Sequence, residues 1–137
     1  MGNSWKYVLV SIAIGLGAMI TGCGGGGGGG SSGASVQTKT LRWEPPSAYT
    51  DGSPLQAATD LDSFEIYVNQ DGIFSENDQP AAAVAVINPG TGQVTTSFDL
   101  AQLAPFLTKG VEYQISVRAV ATTGLKSDFS PSARFLN

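Results

Sequence analysis

The most reactive side chain in the sequence is a single thiol. Cys23 is the only cysteine among 137 residues, and there is no histidine. Cys-His nucleophile pairs, Ser-His-Asp triads, His or Cys metal sites and an internal disulfide are therefore excluded within this chain. The remaining chemistry would have to use oxygen. Asp60 and Asp62 flank Leu61, and paired carboxylates are what glycoside hydrolysis requires. Capping a loop that enters a strand is the simpler use for them. Asn69, Asp71, Ser75, Glu76, Asn77 and Asp78 bring hard oxygen ligands together in one polar loop, the ligand type calcium takes. Their spacing departs from the EF-hand pattern of alternating oxygens closed by a glutamate at the twelfth position. Solvated loop carboxylates are the expectation. The glycine run at residues 24–30 is not followed by the Lys-Ser/Thr of a phosphate-cradling loop. No catalytic residue, metal site or cofactor is predicted.

Charge narrows the partners. Past Lys6 the chain carries six basic and eleven acidic groups, a net of −5. Nucleic acid needs clustered Lys and Arg, and adsorption on anionic lipid needs a basic face. Neither is present, so no nucleic-acid partner is expected.

The lone thiol has a specific context. Residues 1–6 are polar with one positive charge, residues 7–20 are apolar, and Ile20-Thr21-Gly22-Cys23 follows. A membrane-spanning helix needs about 20 apolar residues. This shorter run ending in small residues is predicted to be an export signal. The four residues resemble the lipobox of bacterial lipoproteins: an aliphatic residue, a small residue, Gly or Ala, then Cys. The resemblance implies a diacylglycerol on the Cys23 thiol, cleavage just before it, and acylation of the new amine with a fatty acid such as palmitate. Each buried methylene contributes about 0.8 kcal/mol and one acyl chain anchors only marginally, so several chains on Cys23 would hold the protein stably. The alternatives are a plain signal peptide with an incidental Cys, or an uncleaved anchor helix. By the same resemblance, Gly24 is not the Asp that favours inner-membrane retention. Outer-membrane sorting is the default, with the face left open.

Residues 24–35 are Gly and Ser apart from Ala34. They can bury no apolar surface, and glycine loses the most backbone entropy on ordering. A flexible coil of about a dozen residues has a mean reach of roughly 20 Å. The chain thus divides into a signal at 1–22, a lipidated Cys with its tether at 23–35, and a domain at 36–137.

Within the domain, residues 111–122 (VEYQISVRAVAT) alternate most cleanly. Val111, Tyr113, Ile115, Val117 and Ala119 face one way, and Glu112, Gln114, Ser116 and Arg118 the other. Period-two alternation predicts a central strand with one face on the core and one in water. Residues 38–44 place Leu41 and Trp43 together before Pro45-Pro46 stop the strand. Leu55 tucks under the sheets from the turn-rich residues 47–59. Residues 61–69 group Phe64, Ile66 and Val68, with Glu65 and Tyr67 opposite. Tyr67 would then be an exposed aromatic able to contact a sugar or a protein. Residues 81–87 suit an edge strand, and residues 94–100 put Val94, Thr96, Phe98 and Leu100 on one side. One helical turn fits near residues 99–103, and residues 129–136 form a last strand with Pro131 near its start. The predicted core centres on Trp43, Phe64, Ile66, Phe98, Tyr113, Ile115 and Val117. Short strands at near-regular spacing with Gly/Pro turns indicate an all-β antiparallel sandwich.

The order of these pieces resembles a fibronectin type III domain, an immunoglobulin-like sandwich. Leu41-x-Trp43-x-Pro45-Pro46 is similar to its strand B. Asp51-Gly52-Ser53-Pro54-Leu55 and Phe64-x-Ile66-Tyr67 are similar to its B–C loop and strand C. Tyr113-x-Ile115-x-Val117-x-Ala119-Val120 and residues 127–135 are similar to strands F and G. Leu107, six residues before Tyr113, matches the family's Leu…Tyr corner, in which the Tyr hydroxyl bonds a nearby backbone group. The Pro and Thr usual between them are Lys109 and Val111 here. Strand A has no counterpart: either residues 31–37 supply a poor one, or one sheet edge is open to a partner strand. The loop at residues 122–128, where this family often carries ligand contacts, contains no Arg-Gly-Asp.

Together these features predict a non-catalytic, lipid-anchored binding or spacing module of the bacterial cell envelope. The membrane would be its partner through Cys23, with a further protein or glycan partner unidentified. The alternative is an accessory subunit of an envelope assembly such as a pilus, secretion or polysaccharide system.

Overall fold

A computed structural model describes residues 39–137 and the strand Gly15–Gly17. Cys23 and the tether lie outside the described residues. The described chain is mostly β-strand: β1 (Gly15–Gly17), β2 (Thr40–Arg42), β3 (Leu61–Asn69), β4 (Ala82–Ala85), β5 (Ser97–Asp99), β6 (Glu112–Ala121) and β7 (Ala133–Leu136). All pairings between these strands are antiparallel, in a three-stranded sheet ordered β1-β2-β5 and a four-stranded sheet ordered β4-β3-β6-β7.

The alternating residues of β3 and β6 generate the larger sheet. Phe64, Ile66, Ile115, Val117 and Ala119 are each fully buried, with Tyr113 at their end. Leu41 and Phe98 of the smaller sheet, and Trp43 just past the end of β2, join the same apolar cluster. The Trp43 and Phe64 rings meet across it with centroids 5.3 Å apart at 59°. Leu55 is buried as expected from its place in the first long loop.

Several elements differ from expectation. Residues 56–60 close into a short helical turn, α1 (Ala57–Asp60), because the Asp60 carboxylate accepts from the Gln56 N–H at 2.8 Å. Two consecutive 3-10 turns, Leu100–Gln102 and Ala104–Phe106, replace the single predicted turn. Asp99 caps the first by accepting from the Ala101 N–H, and Pro105 lies within the second, where its missing N–H does no harm. β5 is only three residues long, and Thr96 is exposed rather than facing the core. β7 begins at Ala133, leaving Phe129 outside the strand.

The neighbour of β2 is also unexpected. Gly15–Gly17, within the apolar residues 7–20, pairs with it, Gly15 opposite Arg42 and Gly17 opposite Thr40. Residues 31–37, the alternative strand, lie outside the described residues.

Beside Tyr113, the hydroxyl accepts a hydrogen bond from the Thr108 N–H at 3.0 Å. Leu107 packs against the core nearby. Tyr113→Phe keeps the ring and leaves this N–H without its acceptor, so a loss of about 1 kcal/mol is expected. An unchanged urea midpoint would show that the hydroxyl contributes nothing to stability.

Candidate functional site

The most organised polar chemistry lies on the outer face of the larger sheet, where alternation had placed water. Ser116 and Arg118 point away from the core, yet both are buried. Tyr67, on the same face of β3, is only 2% exposed. The exposed aromatic expected there is absent, because a second layer covers it.

Two segments build that layer. Residues 70–80 fold back across the sheet, held at the start by Asn69, whose Oδ1 accepts from the Gly72 N–H at 2.7 Å and whose Nδ2 donates to the Ile73 carbonyl at 2.7 Å. Gly72 has φ +73°, and a Cβ there would collide with the Gln114 side chain, so the turn suits glycine. Residues 126–130 run beside β6. Where this run cannot form a regular ladder, serine hydroxyls substitute: Ser127 Oγ accepts from the Ala119 N–H and Ser130 Oγ from the Val117 N–H, each at 2.9 Å. This detour turns Phe129 onto the sheet. Its ring meets Tyr67 edge-on at 5.0 Å and stacks on Phe74 at 5.6 Å.

Arg118 sits at the centre. Its guanidinium carbon lies 4.4 Å from the centre of the Phe129 ring. Nε donates to the Ser127 carbonyl at 2.6 Å, while Nη1 and Nη2 donate to the two carboxylate oxygens of Glu76 at 2.8 and 2.9 Å. The paired donors match the planar carboxylate in a way a lysine could not. Glu76 thus pairs with a buried arginine while its own side chain stays 75% exposed, a solvated loop carboxylate as expected. In the same loop Asp71 accepts from the Ile73 N–H and Asp78 from the Ser75 N–H, ordinary side-chain-to-backbone turns. Among the described residues no group of His, Cys, Asp and Glu is arranged to hold a metal.

Beside Arg118, Glu65 accepts from the Tyr67 hydroxyl and from Lys126 Nζ. Burial pushes the Glu65 carboxyl up, but hydrogen bonds from Lys126 and Tyr67 outweigh it and hold the carboxyl below its ordinary value. The hydrogen bond from Arg118 likewise holds Glu76 low. Its bond to Glu65 raises the Lys126 ammonium, while burial, then the bond to Glu65, raises Tyr67. A lowered carboxylate stabilises the fold above its unfolded value, and that stability is lost as pH falls through the folded value. A raised Lys or Tyr stabilises below its unfolded value, and that stability is lost as pH rises through the folded value. Stability is therefore expected to be flat between the ordinary Glu value of 4.5 and the ordinary Tyr value of 10.0, and to fall on both sides. Thermal unfolding across this range checks it, with Glu65→Gln softening both limbs; identical profiles would show that the cluster contributes no pH dependence.

The cluster is structural in character: each polar group meets another, and the aromatic rings close over them. At one end of the sandwich lies an open hollow of about 170 Å³ lined by Lys39, Leu100, Ala101, Ala104, Phe135, Leu136 and Asn137. Among the described residues, Lys39 is its one titratable side chain. Asp60 is occupied in capping α1, so the Asp60–Asp62 pairing draws no support. Among the described residues no helix is long and apolar enough to cross a membrane. The predicted core residues Trp43, Phe64, Ile66, Phe98, Tyr113, Ile115 and Val117 are buried. Cys23, the expected lipidation site, lies outside the described residues.

The covered face was missed because alternation reports which residues leave the core, not what returns to cover them. A signal was present in Phe74 and Phe129, two aromatics within polar loops. Compared with known protein families, characterised proteins and solved structures, the chain finds no match.

Proposed function

We propose that the chain is a lipid-anchored module of the bacterial cell envelope, probing its surroundings with a non-catalytic, fibronectin type III-like domain on a flexible tether. The observation that carries this is the placement of Ile20-Thr21-Gly22-Cys23 directly after an apolar run and directly before a glycine run. The thiol supplies the anchor and residues 24–35 supply reach, with outer-membrane sorting. The β-sandwich offers loops and an edge for binding, or simply spaces other components. The immunoglobulin-like assignment draws support from the sheet orders β1-β2-β5 and β4-β3-β6-β7. It also draws support from the Tyr113 hydroxyl bonded to the Thr108 N–H, the corner contact of such folds.

Cys23→Ser tests the anchor. The variant is expected to leave the outer-membrane fraction and to incorporate no labelled palmitate. Retention there with full labelling would defeat the proposal. Protease shaving of whole cells, with mass spectrometry of the released peptides, separates surface display from a periplasm-facing position.

An accessory subunit of an envelope assembly is the second reading. One observation favours it: the smaller sheet is completed by residues that processing before Cys23 would remove.

A further inference from the structure

Backbone groups along a strand point alternately to its two neighbours. The Lys39 carbonyl accepts from the Leu100 N–H at 2.9 Å, and the Trp43 N–H donates to the Thr96 carbonyl at 3.0 Å. The odd-numbered positions along β2 therefore face β5. Thr40 and Arg42 turn their N–H and C=O groups the other way, where Gly17 and Gly15 stand opposite them in register. The segment seated on this edge thus has glycine at both hydrogen-bonding positions and Leu16 between them, opposite Leu41. Leu41, at the centre of the edge, is fully buried in this arrangement.

Removal of residues 1–22 would vacate the edge. Four backbone groups on Thr40 and Arg42 would lose their partners, and the flank of Leu41 would meet water. Such an edge is a template for another strand. Residues 24–35 of the retained chain carry only Gly, Ser and one Ala, and so offer no side chain larger than a methyl group in the place of Leu16.

We infer that the outer edge of β2 is a strand-acceptor site, filled in the processed protein by an extended segment of a partner protein that presents one aliphatic residue between two small ones. This rests on the proposed removal of the leader. Main-chain hydrogen bonds to Thr40 and Arg42 supply the attraction, and the aliphatic residue beside Leu41 sets the register. The small flanking residues let the incoming backbone approach closely.

Hydrogen exchange at the Thr40 and Arg42 amides reads the edge directly. Three samples are compared in detergent: the full-length chain kept unprocessed by Cys23→Ser, the same chain with Gly17→Pro, and the processed lipoprotein extracted from membranes. The amides are expected to be protected in the first and to exchange about tenfold faster or more in the other two. A lysine-tailed synthetic peptide of residues 12–19 is then expected to restore protection to the processed protein, and its Gly17→Pro version to fail, since proline cannot donate to the ladder. Protection in the processed protein without peptide means that the chain covers its own edge, and overturns the proposal. So does failure of the peptide to protect. Intact-mass analysis separates the two ideas: an extracted chain starting at Met1 defeats the lipoprotein reading alone. The Gly17→Pro sample still decides the edge, and unchanged protection there overturns it.

Discussion

Trp43→Ala is expected to lower the unfolding free energy by about 3–5 kcal/mol, a large part of the roughly 5–15 kcal/mol that holds a small domain folded. Trp43 is 3% exposed and packs between the sheets against Phe64. Deleting the indole removes the largest apolar contact of the smaller sheet and opens a void that two sheets held by other residues cannot collapse to fill. The same side chain carries a liability. Its Nε1 is buried without a hydrogen-bond partner among the described residues, which costs about 1–3 kcal/mol relative to a satisfied group. Trp43→Phe removes that orphaned donor while keeping a ring beside Phe64. It is therefore expected to cost less than half as much as the alanine change. Urea unfolding of both variants decides it. Equal losses would mean that a phenyl ring recovers none of the indole's packing and that removing the unpaired N–H brings no gain.

Arg118→Ala is expected to destabilise by about 2–4 kcal/mol. It removes three hydrogen-bonding nitrogens, the contact with the Phe129 ring and the buried stem that fills the space between β6 and the covering loop. Glu76→Ala is expected to cost about 1 kcal/mol or less. The Glu76 side chain is 75% exposed against 5% for Arg118, so water can approach the guanidinium from the vacated side. Its bond to the Ser127 carbonyl and its seat over Phe129 persist. The two partners of one ion pair should thus differ by at least about 1 kcal/mol, and only the Glu76 effect should shrink as salt is raised. Equal losses that fall together with salt would show that the charge pair, rather than the packed arginine, holds the layer.

The Arg118 effect concerns a place where local pattern and tertiary structure part company, whereas Trp43 is buried as its alternation with Leu41 predicts. For β3 and β6 the sequence was enough. Apolar residues at every second position leave one register in which they share a face, and a slip by one residue would turn all of them outward. The Pro45-Pro46 stop, the burial of Leu55 and the all-β character follow from equally local rules. The tether and anchor assignments also rest on sequence alone, since Cys23 and residues 24–38 lie outside the described residues.

Other features depended on distant parts of the chain. Ser116, Arg118 and Tyr67 alternate as water-facing residues should, and they are buried because residues 70–80 and Phe129 return over them. Glu76 lies 42 positions from the arginine it pairs with, and no periodicity links them. Gly15–Gly17 sits on β2 although it is read as part of an apolar leader, because a sheet edge recruits strands by backbone hydrogen bonds that every residue but proline can make. Side-chain pattern states which face of a strand avoids water. Which chain segment covers the other face, or closes an edge, is decided only when the folded backbone brings remote segments together.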